Sequence, residues 1–264
     1  MKFLASDYDG TLRLAPQVEP ATAARVAQFQ NHGHRFGIVT GRALNTIYDE
    51  AHHNQIDPDV FICSNGALIA DRYKNILDAH WIPFDRACAL IEYLKQSDFE
   101  SFTFCNGENS GYHANEHIVQ SPRSLERREK FFSKTIGEAW ISDRGRMAEM
   151  QAEIQERFGD AVESYLNRGT LDIVARGVSK QTGVEQAAAW LKADEVYVIG
   201  DDYNDLPMIK GLHGFAMSSG VEAVKAAASQ LFDTVDDCLD YLEIRDRNDR
   251  IDHNSIFFYL EALK

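Results

Sequence analysis

The chain has 264 residues and a formal net charge of −14, with 27 Lys and Arg against 41 Asp and Glu. That surplus excludes the basic footprint that holds nucleic-acid backbones or anionic membrane surfaces, but not a small phosphorylated ligand gripped by one cation and local charges. Hydrophobic residues at 44% and charged residues at 26% suit a globular protein with ample core.

The opening residues Met1 to Ser6 are largely apolar, but Asp7 and Asp9 end the run too soon for a leader, and no later stretch reaches the length of a membrane span. Apolar runs bounded by turn residues predict buried strands at Phe3–Ser6, Phe36–Thr40 and Val60–Cys63. Helical periodicity falls between them, at Pro20–Asn31, with Pro at its start, and at Ala43–Ala51 after a Gly turn. From Pro83 to Arg176 the pattern changes. A helix at Asp85–Lys95 is followed by short strands at Ser101–Cys105, Tyr112–Ala114 and Glu138–Ser142, then a helix at Arg146–Phe158. Two more strands, Ala161–Leu166 and Leu171–Ala175, face each other across Asn167–Thr170 as a hairpin. The alternation of strand and helix then resumes, with strands at Val196–Ile199, Gly214–Met217 and Gln230–Thr234. Helices are predicted at Lys180–Lys192, Asn204–Lys210 and Val221–Ala228. A charged stretch at Glu243–Asn254 precedes a last helical pattern at Ser255–Leu263. The expected fold is therefore α/β: a Rossmann-like, doubly wound parallel sheet core formed by residues 1–82 and 177–264, with an α+β cap inserted at 83–176. Cys63, Cys88, Cys105 and Cys238 are widely spaced with no C-x-x-C pair, the usage of a reduced, cytoplasmic chain.

Four polar segments stand at the expected ends of core strands or the start of a helix, where sites of such sheets lie. They are Asp7-Tyr8-Asp9-Gly10-Thr11, Thr40-Gly41-Arg42, Lys180, and Gly200-Asp201-Asp202-Tyr203-Asn204-Asp205. The turn at Gly10 supplies the freedom to aim Asp9 toward the pocket, and two adjacent carboxylates can divide the work of nucleophile and general acid/base. Attack by a carboxylate on a phosphate is opposed by about 4 kcal/mol per charge pair at about 4 Å and an effective dielectric of about 20. A divalent cation reverses that sign, and Asp201 offers a further hard oxygen ligand of the kind that suits Mg²⁺. Thr40 and the bare backbone at Gly41 suit phosphate oxygens at a helix start, and Lys180 suits the charge developing on a phosphoryl group.

The order of these segments resembles the haloacid-dehalogenase-like hydrolases, in particular the Cof-type phosphatases with a late α/β cap (type IIB), a likeness reinforced by Ser64-Asn65-Gly66-Ala67 after a core strand. The resemblance implies that Asp7 is the nucleophile that becomes an aspartyl phosphate. It implies that Asp9 protonates the leaving oxygen, later activates water, and touches the metal through its backbone carbonyl. Thr40, Gly41, Lys180 and Asn204 would bind the phosphoryl group, Asp7, Asp9 and Asp201 would bind Mg²⁺, and Asp205 would orient Lys180. Tyr8 stands where a smaller aliphatic residue is commoner and is expected to contribute mainly backbone.

Thr40 and Lys180 are 140 positions apart, far more than one strand and helix need, so the lid must be the 83–176 insert. The reading is a Mg²⁺-dependent phosphatase of small metabolites such as sugar phosphates, nucleotides or pyridoxal phosphate. A phosphotransferase or phosphomutase using the same intermediate is the alternative, as is a non-catalytic ligand-binding regulator. The substrate, the selecting cap residues and the oligomeric state are left open by the sequence.

Overall fold

The computed structural model describes residues 1–96, 101–105, 110–111, 136–140, 144–167 and 170–244. Strands β1 (Lys2–Asp7), β2 (Arg35–Val39), β3 (Val60–Cys63), β4 (Leu68–Asp71) and β5 (Ile76–Ala79) lead into β6 (Ser101–Cys105), β7 (Ser110–Gly111), β8 (Ile136–Trp140), β9 (Val162–Asn167) and β10 (Thr170–Ala175). The last three are β11 (Glu195–Gly200), β12 (His213–Met217) and β13 (Gln230–Phe232). They form two sheets. One is eight-stranded, in the order β13-β12-β11-β1-β2-β3-β4-β5, and the other five-stranded, in the order β7-β6-β8-β10-β9.

The six strands from β13 to β3 run parallel, and β4 and β5 turn back antiparallel at the edge. β1 lies at the centre and every one of its residues is buried. A strand covered on both faces reads as a continuous apolar run, which is why the parallel strands are legible in the sequence. Successive side chains enter opposite layers. Leu4, Ile38 and Phe61 pack with Val26 and Phe29 of α1 (Pro20–Asn31) and with Leu239 and Leu242 from the helical residues 235–244. Phe3, Ala5, Val39 and Ile62 pack on the other face against Val184, Ala187 and Met208. This three-layered core is the doubly wound α/β architecture expected.

The five-stranded sheet is antiparallel throughout. Two further helices, α2 (Leu44–His53) and α3 (Phe84–Gln96), precede it in the chain, and α4 (Arg144–Phe158) lies within it. Leu90, Leu94, Ile154 and Phe158 of α3 and α4 cover Val162, Leu171 and Ile173 of β9 and β10. β9 and β10 pair with Thr170 opposite Asn167, the hairpin read from the sequence. Tyr112–Ala114 and the pattern at Ser255–Leu263 lie outside the described residues.

Three features depart from expectation. β4 and β5 went unread because they are short, and the edge strand β5 is only partly buried. The helix at 235–244 went unread although Val235, Cys238, Leu239 and Leu242 keep helical spacing, because acidic residues dominate the stretch. Finally, α5 (Lys180–Leu191) follows β10 as expected, but the helix expected at Asn204–Lys210 is a tight turn, Tyr203–Asp205, followed by a separate short helix, Leu206–Gly211, with Pro207 in its first turn. Among the described residues no helix is long and apolar enough to cross a membrane.

Candidate active site

The polar segments converge beyond the carboxyl ends of β1, β2 and β11. After Asp7 the chain reverses through Gly10, whose φ of 93° is readily reached only without a side chain. Leu12 N–H bonds Asp7 O at 3.2 Å and Arg13 N–H bonds Tyr8 O at 2.8 Å, closing the turn. Thr11, carried round by it, donates from Oγ1 to Asp201 Oδ1 at 2.7 Å.

Lys180 begins α5, whose start is fixed by a reciprocal cap between Ser179 and Thr182. Its side chain is 1% exposed, and Nζ donates to Asp7 Oδ1 at 2.7 Å and to Asp205 Oδ1 at 2.6 Å. The second oxygen of Asp205 accepts the backbone N–H groups of Asp201 and Asp202 at 2.8 and 3.0 Å. Asp205 thus fixes both Lys180 and the loop that carries Asp201. Burial pushes Asp7 up to about 7, with Asp205 and Asp9 adding to the rise and Lys180 opposing it. Lys180 is held above its ordinary range: burial disfavours its charge, but Asp205 and Asp7 outweigh that cost.

Asp7, Asp201 and Asp205 bring one carboxylate oxygen each to within 4.8 Å of one another, all three buried. Three carboxylates against one ammonium leave a formal excess of two negative charges among buried side chains. An all-oxygen donor set with that excess fits a hard divalent cation such as Mg²⁺.

Asp9 is placed differently. Its carboxylate, 41% exposed, takes a bidentate grip from Arg42, with Nε to Oδ2 at 2.6 Å and Nη2 to Oδ1 at 2.8 Å, and a further bond from Arg13. Burial alone would raise its pKa, but the bonds and charges of Arg42 and Arg13 outweigh it and hold the carboxyl below its usual range. Both guanidinium groups lie over the ring of Tyr8, at 5.5 and 5.6 Å from its centre. Tyr8 is wholly buried and its hydroxyl accepts from Asn54 Nδ2 at 3.1 Å, so this position contributes far more than backbone.

Thr40 is buried, with Oγ1 accepting the N–H of Arg42 at 3.2 Å. Its carbonyl accepts from the N–H of Asn65 at 2.9 Å, and Arg42 O accepts from Ser64 N–H at 3.0 Å. Ser64, Asn65 and Gly66 all have left-handed φ values, 51°, 55° and 97°. A side chain on Gly66 would meet Ser179 O at 2.1 Å, so this turn packs directly on the start of the Lys180 helix. Asn65 Oδ1 accepts from Asn204 Nδ2 at 3.1 Å. The structure therefore joins Asp7, Lys180, Asp201 and Asp205 directly, and Thr40 and Asn204 through Asn65, while the Asp9 carboxylate sits on Arg42.

Asn65, Arg13, Thr11 and Asp172 were not among the expected site residues. Asp172, on β10, reaches across to accept from Asn65 Nδ2 at 2.7 Å. A lone carboxylate inside the apolar run Leu171-Asp172-Ile173-Val174 was the signal available.

A family profile described as haloacid dehalogenase-like hydrolase matches residues 4–238. The chain belongs to this hydrolase family. As a haloacid-dehalogenase-like hydrolase of the Cof type it has relatives along nearly its whole length. It is 25% identical over 254 residues to a pyridoxal phosphate phosphatase of Escherichia coli, covering 86% of this chain and 92% of that protein. Solved structures with the same fold include a subclass IIB sugar phosphatase, at a TM-score of 0.75 and 20% identity, covering 92% of this chain and 100% of that one. Another is a phosphatase of this superfamily from Bacteroides thetaiotaomicron, at a TM-score of 0.73 and 21% identity, covering 93% of this chain and 94% of that one.

Proposed function

We propose that this hydrolase is a Mg²⁺-dependent phosphatase of small phosphorylated metabolites, acting through an aspartyl phosphate at Asp7. The observation that carries the reading is the buried cluster in which Lys180 joins Asp7 to Asp205 beside Asp201, with a charge deficit that matches one divalent cation. The pyridoxal phosphate phosphatase relative and the sugar phosphatase of like fold support a small-metabolite substrate.

Lys180 occupies Oδ1 of Asp7, so the other carboxylate oxygen carries the attack on phosphorus. As that P–O bond forms, the ester P–O bond breaks and the departing oxygen takes a proton from Asp9. Asp9 then removes a proton from water, which attacks phosphorus, breaks the bond to Asp7 and releases inorganic phosphate. To do this Asp9 must exchange its Arg42 and Arg13 partners for the leaving oxygen, taking up a proton from solvent as those arginines release it before the first turnover, and the proton it removes from water restores the acid for the next cycle. Thr40, the backbone at Gly41, Lys180 and Asn204 bind and orient the phosphoryl group. Asp7, Asp201 and the backbone carbonyl of Asp9 would hold Mg²⁺, which when bound offsets the repulsion between carboxylate and phosphate. Asp205 positions Lys180.

In this reading residues 1–82 and 177–264 form the catalytic core and 83–176 the cap that excludes water and selects the leaving group. Location in the reducing cytoplasm is consistent with Cys63 and Cys238, both buried thiols. A screen of phosphorylated metabolites, read as released phosphate, tests the proposal. Turnover should require Mg²⁺ and stop with chelator, and full turnover in excess EDTA would refute the metal assignment.

A further inference from the structure

A surface cleft of about 470 Å³ lies at the far end of the eight-stranded sheet from Asp7, lined by Arg35, Asp59, Asp71, Arg72, Tyr73 and Trp190. Arg35 opens β2, and Thr40 follows the other end of that strand, about 16 Å away along the extended chain. Trp190 stands in the last turn of α5 and Lys180 in its first, about 15 Å apart along the helix.

The cleft shows two large rings to solvent, with Tyr73 76% exposed and Trp190 50% exposed. One exposed ring on a surface is ordinary, but these two share a concavity with two guanidinium groups. Tyr73 is held in place by the turn between β4 and β5. Asp71 accepts the N–H groups of Tyr73 and Asn75 at 2.8 and 2.9 Å, and Asn75 Nδ2 at 2.8 Å. Trp190 rides on a helix anchored by the wholly buried Val184 and Ala187.

The acceptors of the cleft are engaged while donors stay open. Asp59 accepts Phe36 N–H and Gln30 Nε2, both at 3.0 Å, and Arg72 Nη2 at 2.8 Å. Asp71 is taken up by its own turn, and Arg72 also reaches Asp57 at 3.3 Å. Arg35 is 41% exposed, and its one ion pair among the described residues is the contact of Nη1 with Asp59 at 3.5 Å. A guanidinium carries five N–H donors, so most of those on Arg35 are left for a ligand. A ligand must therefore bring acceptors and negative charge, together with a flat face for the two rings.

We propose that this cleft is a second binding site, separate from the phosphoryl site, for a flat aromatic anion of the nucleotide class. The base lies on Tyr73 and Trp190, and the phosphate takes the open donors of Arg35, with Arg72 adding charge beside it. The volume falls within the range of small-molecule sites, roughly 300–1,000 Å³.

Calorimetric titration of the whole protein with AMP, adenosine and inorganic phosphate tests the site, with Mg²⁺ and vanadate present to occupy the phosphoryl site. AMP should bind with a Kd at or below about 1 mM, and adenosine and phosphate about tenfold or more weakly. Arg35→Gln and Trp190→Ala, both at exposed positions, should each weaken AMP by about 10–100-fold, while turnover of p-nitrophenyl phosphate without vanadate stays at the wild-type level. Should either variant fail to fold by its melting curve, Tyr73→Ala at the turn tip takes its place. No saturable binding of AMP, or wild-type affinity in any folded variant, overturns the proposal, and adenosine binding as tightly as AMP overturns the anion assignment. Binding that vanadate abolishes belongs to the phosphoryl site: it overturns the second site and leaves the phosphatase reading standing.

Discussion

Without its cation, this protein should lose stability as the pH rises through neutrality, and Asp7 is the reason. Its folded-state pKa is pushed from 3.8 up to about 7 by burial, with other carboxylates adding to the rise. The native state therefore holds this proton more tightly than the unfolded chain. Stability from this group is complete below the unfolded pKa and is lost as the pH passes the folded one. At about 1.36 kcal/mol per pKa unit, the loss from about pH 5 to about pH 8 is on the order of 2.5 kcal/mol. For a chain of this size that is a fall in Tm of about 5–10 °C. Asp172 shifts in the same direction, but it is present in both wild type and Asp7→Asn, so the comparison isolates Asp7. The assay is denaturant unfolding in EDTA across this range for wild type and Asp7→Asn. The variant should show a shallower decline by about that amount, and Mg²⁺ should flatten the wild-type curve. Equal slopes for the two proteins in EDTA would refute the reasoning.

Asp9→Asn should slow turnover by about 10²–10⁴, the usual worth of a positioned acid/base, while leaving the fold intact because the side chain is partly exposed. Steady-state kinetics and a melting curve check both halves of that statement. Asp201→Asn should weaken Mg²⁺ binding more than about tenfold by calorimetric titration, with little change in far-UV circular dichroism. Gly66→Ala should destabilise by at least about 2 kcal/mol in denaturant unfolding, because the new methyl group meets Ser179 O at a position with φ of 97°.

The parallel strands could be read from the sequence because burial on both faces leaves continuous apolar runs, and the convergence of their ends followed from that topology. The pairing of Lys180 with Asp205 was implied by the family resemblance, whereas the bond from Lys180 to Asp7 was not anticipated. What could not be read depends on long-range pairing of polar side chains. Asp9 and Arg42 are 33 positions apart, and no local pattern announces a bidentate grip between them. Tyr8 looked like a spacer because its neighbours carry the motif, yet its ring supports both arginines. Asn65 and Asp172, 107 positions apart, meet only because the fold brings β10 against the turn that follows β3. Each half of that contact is unremarkable alone: one amide in a turn, and one carboxylate in an apolar strand.

The central claim is that Asp7 becomes covalently phosphorylated, and trapping that species tests it most directly. Asp9→Asn should slow release of the phosphoryl group, so rapid acid quench during turnover of a radiolabelled ester should capture label on the protein. Peptide mapping should place it on Asp7, in a linkage cleaved by hydroxylamine, and Asp7→Asn should carry none. Phosphate release with no label on the enzyme at any quench time, in wild type or Asp9→Asn, would mean that water attacks the ester directly and would contradict the account.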